Sequence, residues 1–271
     1  MKYVKLILKT VNEEQSEICM ALFTEWPVLG MEQKENGLEV YLNEADWNEQ
    51  EILEPVTPFI QSYAWESMDD LNWNQQWESS FEPVYLGNEI LIRASFHTPQ
   101  PQYRYQIVIT PKMSFGTGHH QTTRLMLQFI HTLNMENKRV LDFGCGTGIL
   151  SIFARMKGAS FVLGTDHDEW CIQNARENVV LNDLDGIEIT ARALNDVEGP
   201  FDVVLANINL NVLKDHVRQL YTLLNPGGIL ILSGILCSDR EALSRVYSEA
   251  GFHLRAAQSE GDWLAMQWER S

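Results

Sequence analysis

Hydrophobic positions follow two different rhythms along this 271-residue chain. Near the amino terminus Val4, Leu6 and Leu8 alternate with Lys5, Ile7 and Lys9, the period of a half-buried strand. Ile18, Ala21 and Leu22 then share one face of a helix predicted over Glu13–Phe23. Strands are predicted near Val28–Glu32 and Leu38–Leu42, with Asn36-Gly37 supplying the positive-φ residues of a tight turn between them. A second helix is predicted over Trp47–Ile60, its end blurred by Pro55 and Pro58, and a further strand near Ser62–Glu66. This order is the split β-α-β pattern of a ferredoxin-like α+β domain, assigned to residues 1–66.

Residues 67–97 read as a bridge. Asp69 or Asp70 is placed to cap a helix carrying Leu71, Trp73 and Trp77, and short strands near Pro83–Leu86 and Ile90–Ala94 meet through Gly87-Asn88. The polar stretch Thr98–Gln102 opens a second domain, 98–271. There, short continuous apolar strands near 138–142, 161–165, 187–191, 201–206 and 229–233 alternate with amphipathic helices. One helix starts near Ile149, one spans about Glu169–Val180, and one carries Leu213, Val217 and Leu220. Phe252–Gln258 and Asp262–Trp268 form a closing antiparallel pair. Such alternation indicates a Rossmann-like α/β domain whose parallel sheet is covered on both faces. Right-handed crossovers place all parallel strand ends on one edge, where ligands bind.

Composition narrows the classes of function. There are 20 Lys plus Arg against 37 Asp plus Glu, a net charge of −17, which favours a basic partner and opposes unaided binding to nucleic acid or anionic membrane. No apolar run approaches the roughly 20 residues of a membrane span, and the opening residues are too short and too interrupted by lysine for a signal peptide. Cys19, Cys145, Cys171 and Cys237 form no Cys-x-x-Cys pair, as expected of reduced thiols in a cytoplasmic protein. No metal site is expected: the adjacent His119 and His120 diverge and lack acidic or Cys partners.

The chemistry concentrates in three loops. After the strand Val140-Leu141-Asp142 comes Phe143-Gly144-Cys145-Gly146-Thr147-Gly148. Gly144 permits a sharp turn, and Gly146 clears the approach of a ligand. A dinucleotide fingerprint needs a third glycine where Ile149 stands, which weakens the rival reading as a nicotinamide site. Asp142 beside the loop suits a cationic ligand, as the ammonium and sulfonium of S-adenosylmethionine are. Asp166, 22 residues after Gly144, is placed to accept both ribose hydroxyl protons, with Asp168 capping the next helix. The loop Pro111–Arg124 holds Phe115, Thr117 and Thr123, and its glycines allow a tight cover over the site; Thr122 or Thr123 stands near the start of an apolar helix. Finally, Asn207 lies just beyond the fourth strand, where its carbonyl can hold an acceptor amine against the methyl donor. Asn209 competes for that role but also serves as a helix cap.

With these segments in place, the whole chain resembles the bacterial methyltransferase family that modifies protein eleven of the large ribosomal subunit. The resemblance rests on Ser114-Phe115-Gly116-Thr117-Gly118 through Thr122-Thr123, on Asp142-Phe143-Gly144-Cys145-Gly146, on Asp166 and Ala206-Asn207-Ile208, and on the Trp-containing bridge through Trp73, Trp77, Phe81 and Pro83. It implies transfer of methyl groups from S-adenosylmethionine to lysine ε-amines and the α-amine of that ribosomal protein. It also implies cofactor contacts from Thr123, Gly144, Asp166 and Asn207, and substrate positioning by the amino-terminal domain. Where the family usually has Pro-Gly, His-Pro and Ala, this chain has Pro111-Lys112, His120-Gln121 and Ser114, departures that bear on substrate scope. Two other readings stay open: methylation of another protein or a small molecule, and a ribosome-associated binding protein without catalysis.

Overall fold

A computed structural model describes residues 3–10, 12–23, 26–34, 37–68, 81–112 and 114–271. The bridging helix expected over Asp69–Ser80, with Trp73 and Trp77, and the turn residue Asn36 lie outside these described residues. The chain divides into two compact units, 1–81 and 82–271.

In the first unit, strands β1 (Tyr3–Lys9), β2 (Val28–Lys34), β3 (Gly37–Asn43) and β4 (Ser62–Met68) pair in the order β2-β3-β1-β4, all antiparallel, with helix α1 (Glu13–Phe23) between β1 and β2. This is the ferredoxin-like arrangement the pattern predicts. Alternation places Leu6, Leu8, Leu38, Val40 and Leu42 in one core with Cys19 and Phe23 of α1. The second helix is much shorter than expected. Helix α2 spans only Glu49–Leu53, flanked by single 3-10 turns at Glu44–Asp46 and Thr57–Phe59. Pro55 and Pro58 remove backbone donors and clash with the preceding turn, so the apolar period of 47–60 does not become one continuous helix. Gly37 also plays a different part. It lies within β3 rather than in a positive-φ turn, and a Cβ there would stand 2.1 Å from the Leu8 carbonyl oxygen.

The second unit holds two sheets. Strands β5 (Val84–Leu86), β6 (Ile90–Arg93) and β7 (Tyr105–Val108) form the smaller one, with β6 parallel to β7, so the short strands of the expected bridge pair into this unit. The larger sheet contains β8 (Arg139–Phe143), β9 (Phe161–Thr165), β10 (Ile187–Thr190), β11 (Phe201–Asn207), β12 (Leu224–Leu236), β13 (Phe252–Glu260) and β14 (Trp263–Arg270) in the order β10-β9-β8-β11-β12-β14-β13. The first five are parallel, and β14 and β13 close the edge antiparallel. Strand order reverses between β8 and β11, which opens a crevice at their carboxyl ends.

Helices α3 (Gln121–Thr132), α4 (Ile149–Met156), α5 (Glu169–Leu181), α6 (Leu210–Asp215), α7 (Val217–Leu223) and α8 (Arg240–Glu249) cover the sheet. One face buries Leu125, Phe129 and Phe153 against Val140, Val162 and Leu205. The other buries Leu213, Leu220 and Tyr247 against Leu141, Val204 and Trp268. The single helix expected around Leu213–Leu220 is two, α6 and α7, broken at His216 (φ −102°, ψ 5°). Helix α8 was not anticipated, although Leu243 and Tyr247, both fully buried, stand four residues apart on one face. No helix among the described residues is long and apolar enough to cross a membrane.

Candidate functional site

Parallel pairing of β8 with β9 sets Phe143 level with Thr165, so the glycine loop and Asp166 leave the sheet side by side. The Gly144 and Cys145 amides both donate to the Thr165 carbonyl, at 2.8 and 2.9 Å. The Gly146 amide donates to Asp166 Oδ2 at 2.9 Å, and the Asp168 amide to Asp166 Oδ1 at 3.1 Å. Oδ2 keeps a further lone pair for a ligand, while Oδ1 also lies 3.4 Å from His167 Nδ1, whose side chain is fully exposed. Asp168 is the cap of α5, its Oδ1 accepting from the Trp170 amide at 2.8 Å.

Gly146 is required for a reason the sequence did not show. Its φ is +54°, and a Cβ there would lie 2.4 Å from the Phe115 carbonyl oxygen. The loop after β7 therefore packs directly on the glycine loop. That packing is secured by Thr147, whose amide donates to the Phe115 carbonyl at 3.0 Å and whose hydroxyl donates to the Gly116 carbonyl at 2.6 Å. Gly144, at φ +76°, has no room for a side chain either, because a Cβ would meet Ile208 Cγ2 at 2.3 Å.

Between these loops lies a cavity of about 260 Å³ bounded by Phe115, Thr123, Gly146, Asp166, Cys171 and Asn207. Thr123 projects from the first turn of α3, and Asn207 ends β11 at the point of strand reversal. Thr123 Oγ1 and Asn207 Oδ1 are both buried and without a hydrogen-bond partner among the described residues. Both residues line the cavity, and a buried polar atom without a partner calls for one that a ligand can supply. Cys145, Ile149, Leu150 and Ile208 also line the cavity, although the sequence pattern marks none of them as a cofactor contact. Burial pushes the Cys145 thiol well up, so it contributes a neutral apolar surface rather than a nucleophile.

Two expected contacts take other places. Asp142 does not reach the cavity. Its side chain is fully buried beneath the loop, where Oδ2 accepts from the Ser151 amide at 3.0 Å and the Ser151 hydroxyl at 2.7 Å. Burial outweighs those two bonds and lifts its pKa to about 7. The strand pleat turns this residue toward the start of α4, so it braces the loop instead of facing a cation. Thr117 lies in a neighbouring depression of about 450 Å³ with His119 and His120, which adjoins the cavity through Phe115 and Gly116. The two histidines diverge: His119 Nε2 bonds the Glu82 carbonyl, whereas His120 caps α3, its Nδ1 accepting from the Thr122 amide.

Sequence reasoning also missed a buried support. Asn178 Oδ1 accepts from the Thr110 amide at 2.8 Å, while its Nδ2 donates to the Thr147 carbonyl at 2.9 Å. Asn182, one turn on, pairs in the same way with the amide and carbonyl of Val108, at 2.8 and 2.7 Å. Their i, i+4 spacing, continuing from Asn174 on the buried face of α5, was the available signal.

A crevice at a strand reversal does not by itself name a family, so family membership must come from the whole chain. The profile of the family "Ribosomal protein L11 methyltransferase (PrmA)" matches residues 9–271. This chain belongs to the ribosomal protein L11 methyltransferase family. A relative of that name from Bacteroides fragilis is 35% identical, with 99% of each chain covered. Another, from Porphyromonas gingivalis, is 40% identical over 79% of this chain and 75% of its own length. The crystal structure of ribosomal protein L11 methylase from Lactobacillus delbrueckii subsp. bulgaricus superposes with a TM-score of 0.66 at 30% identity, covering 70% of this chain and 99% of that one. Members of the ribosomal protein L11 methyltransferase family are S-adenosylmethionine-dependent protein methyltransferases, and S-adenosylmethionine is the cofactor of this chain. The orphaned Thr123 and Asn207 oxygens, the Asp166 carboxylate and the apolar walls fit its polar ends and its adenosine.

Proposed function

We propose that this chain methylates amino groups of large-subunit ribosomal protein L11, lysine ε-amines and the N-terminal α-amine, using S-adenosylmethionine. The observation that carries the reading is one cavity lined by Thr123, Asp166 and Asn207, the first and last each with a buried oxygen that has no partner among the described residues. When bound, the cofactor supplies a methyl group already activated on a sulfonium.

The protein's part is placement. Asp166 accepts the ribose hydroxyls from a carboxylate already held by the Gly146 and Asp168 amides. Thr123 engages the amino-acid end of the cofactor. Asn207 Oδ1 accepts one N–H of the acceptor amine and leaves the nitrogen lone pair free to point along the transfer line. An amine with an ordinary pKa of ~10.4 must lose its proton first, and an apolar pocket favours the neutral form. Good alignment removes roughly 7–11 kcal/mol of barrier in favourable cases, enough to make positioning the main contribution.

The first unit is proposed to receive the substrate. It has four lysines and no arginine against sixteen Asp and Glu, a net −12 of the chain's −17, and so suits a basic protein. Strand β4 is at one edge of its sheet, with Tyr63 and Trp65 exposed.

Incubating the purified chain with labelled S-adenosylmethionine and L11, then mapping label by mass spectrometry, tests the proposal. Methyl groups on L11 amines are expected. Label appearing only on another protein or a metabolite would refute the substrate, and cofactor binding without transfer would favour a binding protein.

A further inference from the structure

The loop over the cavity is gripped from outside by a distant part of the chain. Trp263, the first residue of β14, meets His120 edge-on at 4.8 Å between ring centroids, and His120 meets Phe115 at 5.2 Å. Alongside, Arg124 Nε donates to the two oxygens of Glu260 at 2.9 and 3.3 Å, and its Nη2 also bonds that carboxylate. Arg124 Nη1 donates to the His119 carbonyl. Glu260 and Trp263 therefore flank the tip of the β13–β14 hairpin and hold both the Phe115 loop and the turn of α3 that carries Thr123. Neither residue lines the cavity.

We propose that Glu260 and Trp263 are positioning residues for cofactor binding, acting through Arg124, His120 and Phe115 to keep the loop 114–120 closed on the glycine loop. The inference rests on the cavity being the S-adenosylmethionine site. Among the described residues, Thr147 hydrogen-bonds the Phe115–Gly116 backbone to the glycine loop, and Ser114 at the start of the segment bonds Cys171. Without the outer grip of Glu260 and Trp263, the closed loop becomes a smaller fraction of the population, and apparent affinity falls by that fraction. An edge-to-face ring contact at this separation changes the closed-to-open ratio by up to about tenfold, and affinity by no more than that factor. A hairpin that contributes no cavity atom thereby sets how tightly the cavity holds its ligand.

The test uses the full chain with Trp263→Ala, Trp263→Phe and Glu260→Gln. Calorimetry measures affinity for S-adenosylhomocysteine, and hydrogen exchange follows the 114–120 amides in the ligand-free protein. Trp263→Ala is expected to bind more weakly, by up to about tenfold. Its exchange should accelerate in 114–120 while β8 keeps its protection. Trp263→Phe should restore most of the affinity, Glu260→Gln should fall between, and kcat at saturating S-adenosylmethionine should stay near wild type. If Trp263→Ala does not fold, Glu260→Gln decides alone, since its carboxylate is only partly buried. Wild-type affinity in the folded variants, or faster exchange spread through the whole sheet, would overturn the proposal. A wild-type chain that fails to bind S-adenosylhomocysteine would instead remove the cofactor site itself.

Discussion

The Gly146 amide and Asp166 Oδ2, 2.9 Å apart, join the tip of the glycine loop to the acid that follows the next strand. One side chain thus sets the loop and presents the remaining lone pairs to the cavity. Asp166→Ala is expected to weaken S-adenosylhomocysteine binding by about 3 kcal/mol, roughly a hundredfold, with a smaller loss of stability. Unchanged affinity in calorimetry would end its role at the ribose.

Asn207→Ala removes an acceptor that has no other duty in the fold, since Oδ1 has no partner among the described residues. Methyl transfer should fall about a hundredfold in kcat while melting moves little, because one well-placed polar group in an active site contributes on that scale. Single-turnover transfer at wild-type rate would take Asn207 out of the mechanism.

Asp142 imposes a pH dependence of unusual sign. Its folded pKa, raised by burial to about 7, lies above the ordinary 3.8, so between these values the folded state holds more protons than the unfolded one. Its contribution to stability is therefore present at low pH and lost as pH rises through 7, with a slope of at most about 1.4 kcal/mol per pH unit. Asp142→Asn keeps an oxygen for Ser151 and cannot ionise. The variant's stability relative to wild type should climb from pH 5 to pH 8 in denaturant titrations; a constant difference would contradict the buried ionisation.

His120 runs the other way. Burial, then the nearby Arg124, hold its pKa below 6.5, and its neutral Nδ1 is the acceptor that caps α3. The unfolded chain takes up a proton first, so stability is complete above about 6.5 and declines as pH falls toward the lower folded value. His120→Asn retains a capping oxygen without titrating. It should abolish this part of the acid sensitivity in the difference between melts at pH 7.5 and pH 5.5. Parallel profiles for the two proteins would refute it.

Element order was legible in the residues because it depends on local period and turn chemistry. Alternation identified β1, the 3.6-residue period identified α1 at its observed limits, and continuous apolar runs identified the parallel strands. The motif at Gly144–Gly148, the acid at Asp166 and the amide at Asn207 were visible for the same reason: each sits at a strand end whose place in the sheet follows from crossover handedness. What lay beyond one dimension was the direction of side chains and the meeting of distant segments. Asp142 turned under its loop, Gly146 made room for the Phe115 carbonyl as well as any ligand, and Asn178 and Asn182 tied two loops across a helix face. Local sequence determined which elements form and which residues arrive at the sheet edge. Only the tertiary structure decided which of them face the cavity, because that depends on pleat, close packing and hydrogen-bond partners more than 60 residues apart, such as Thr110 and Asn178.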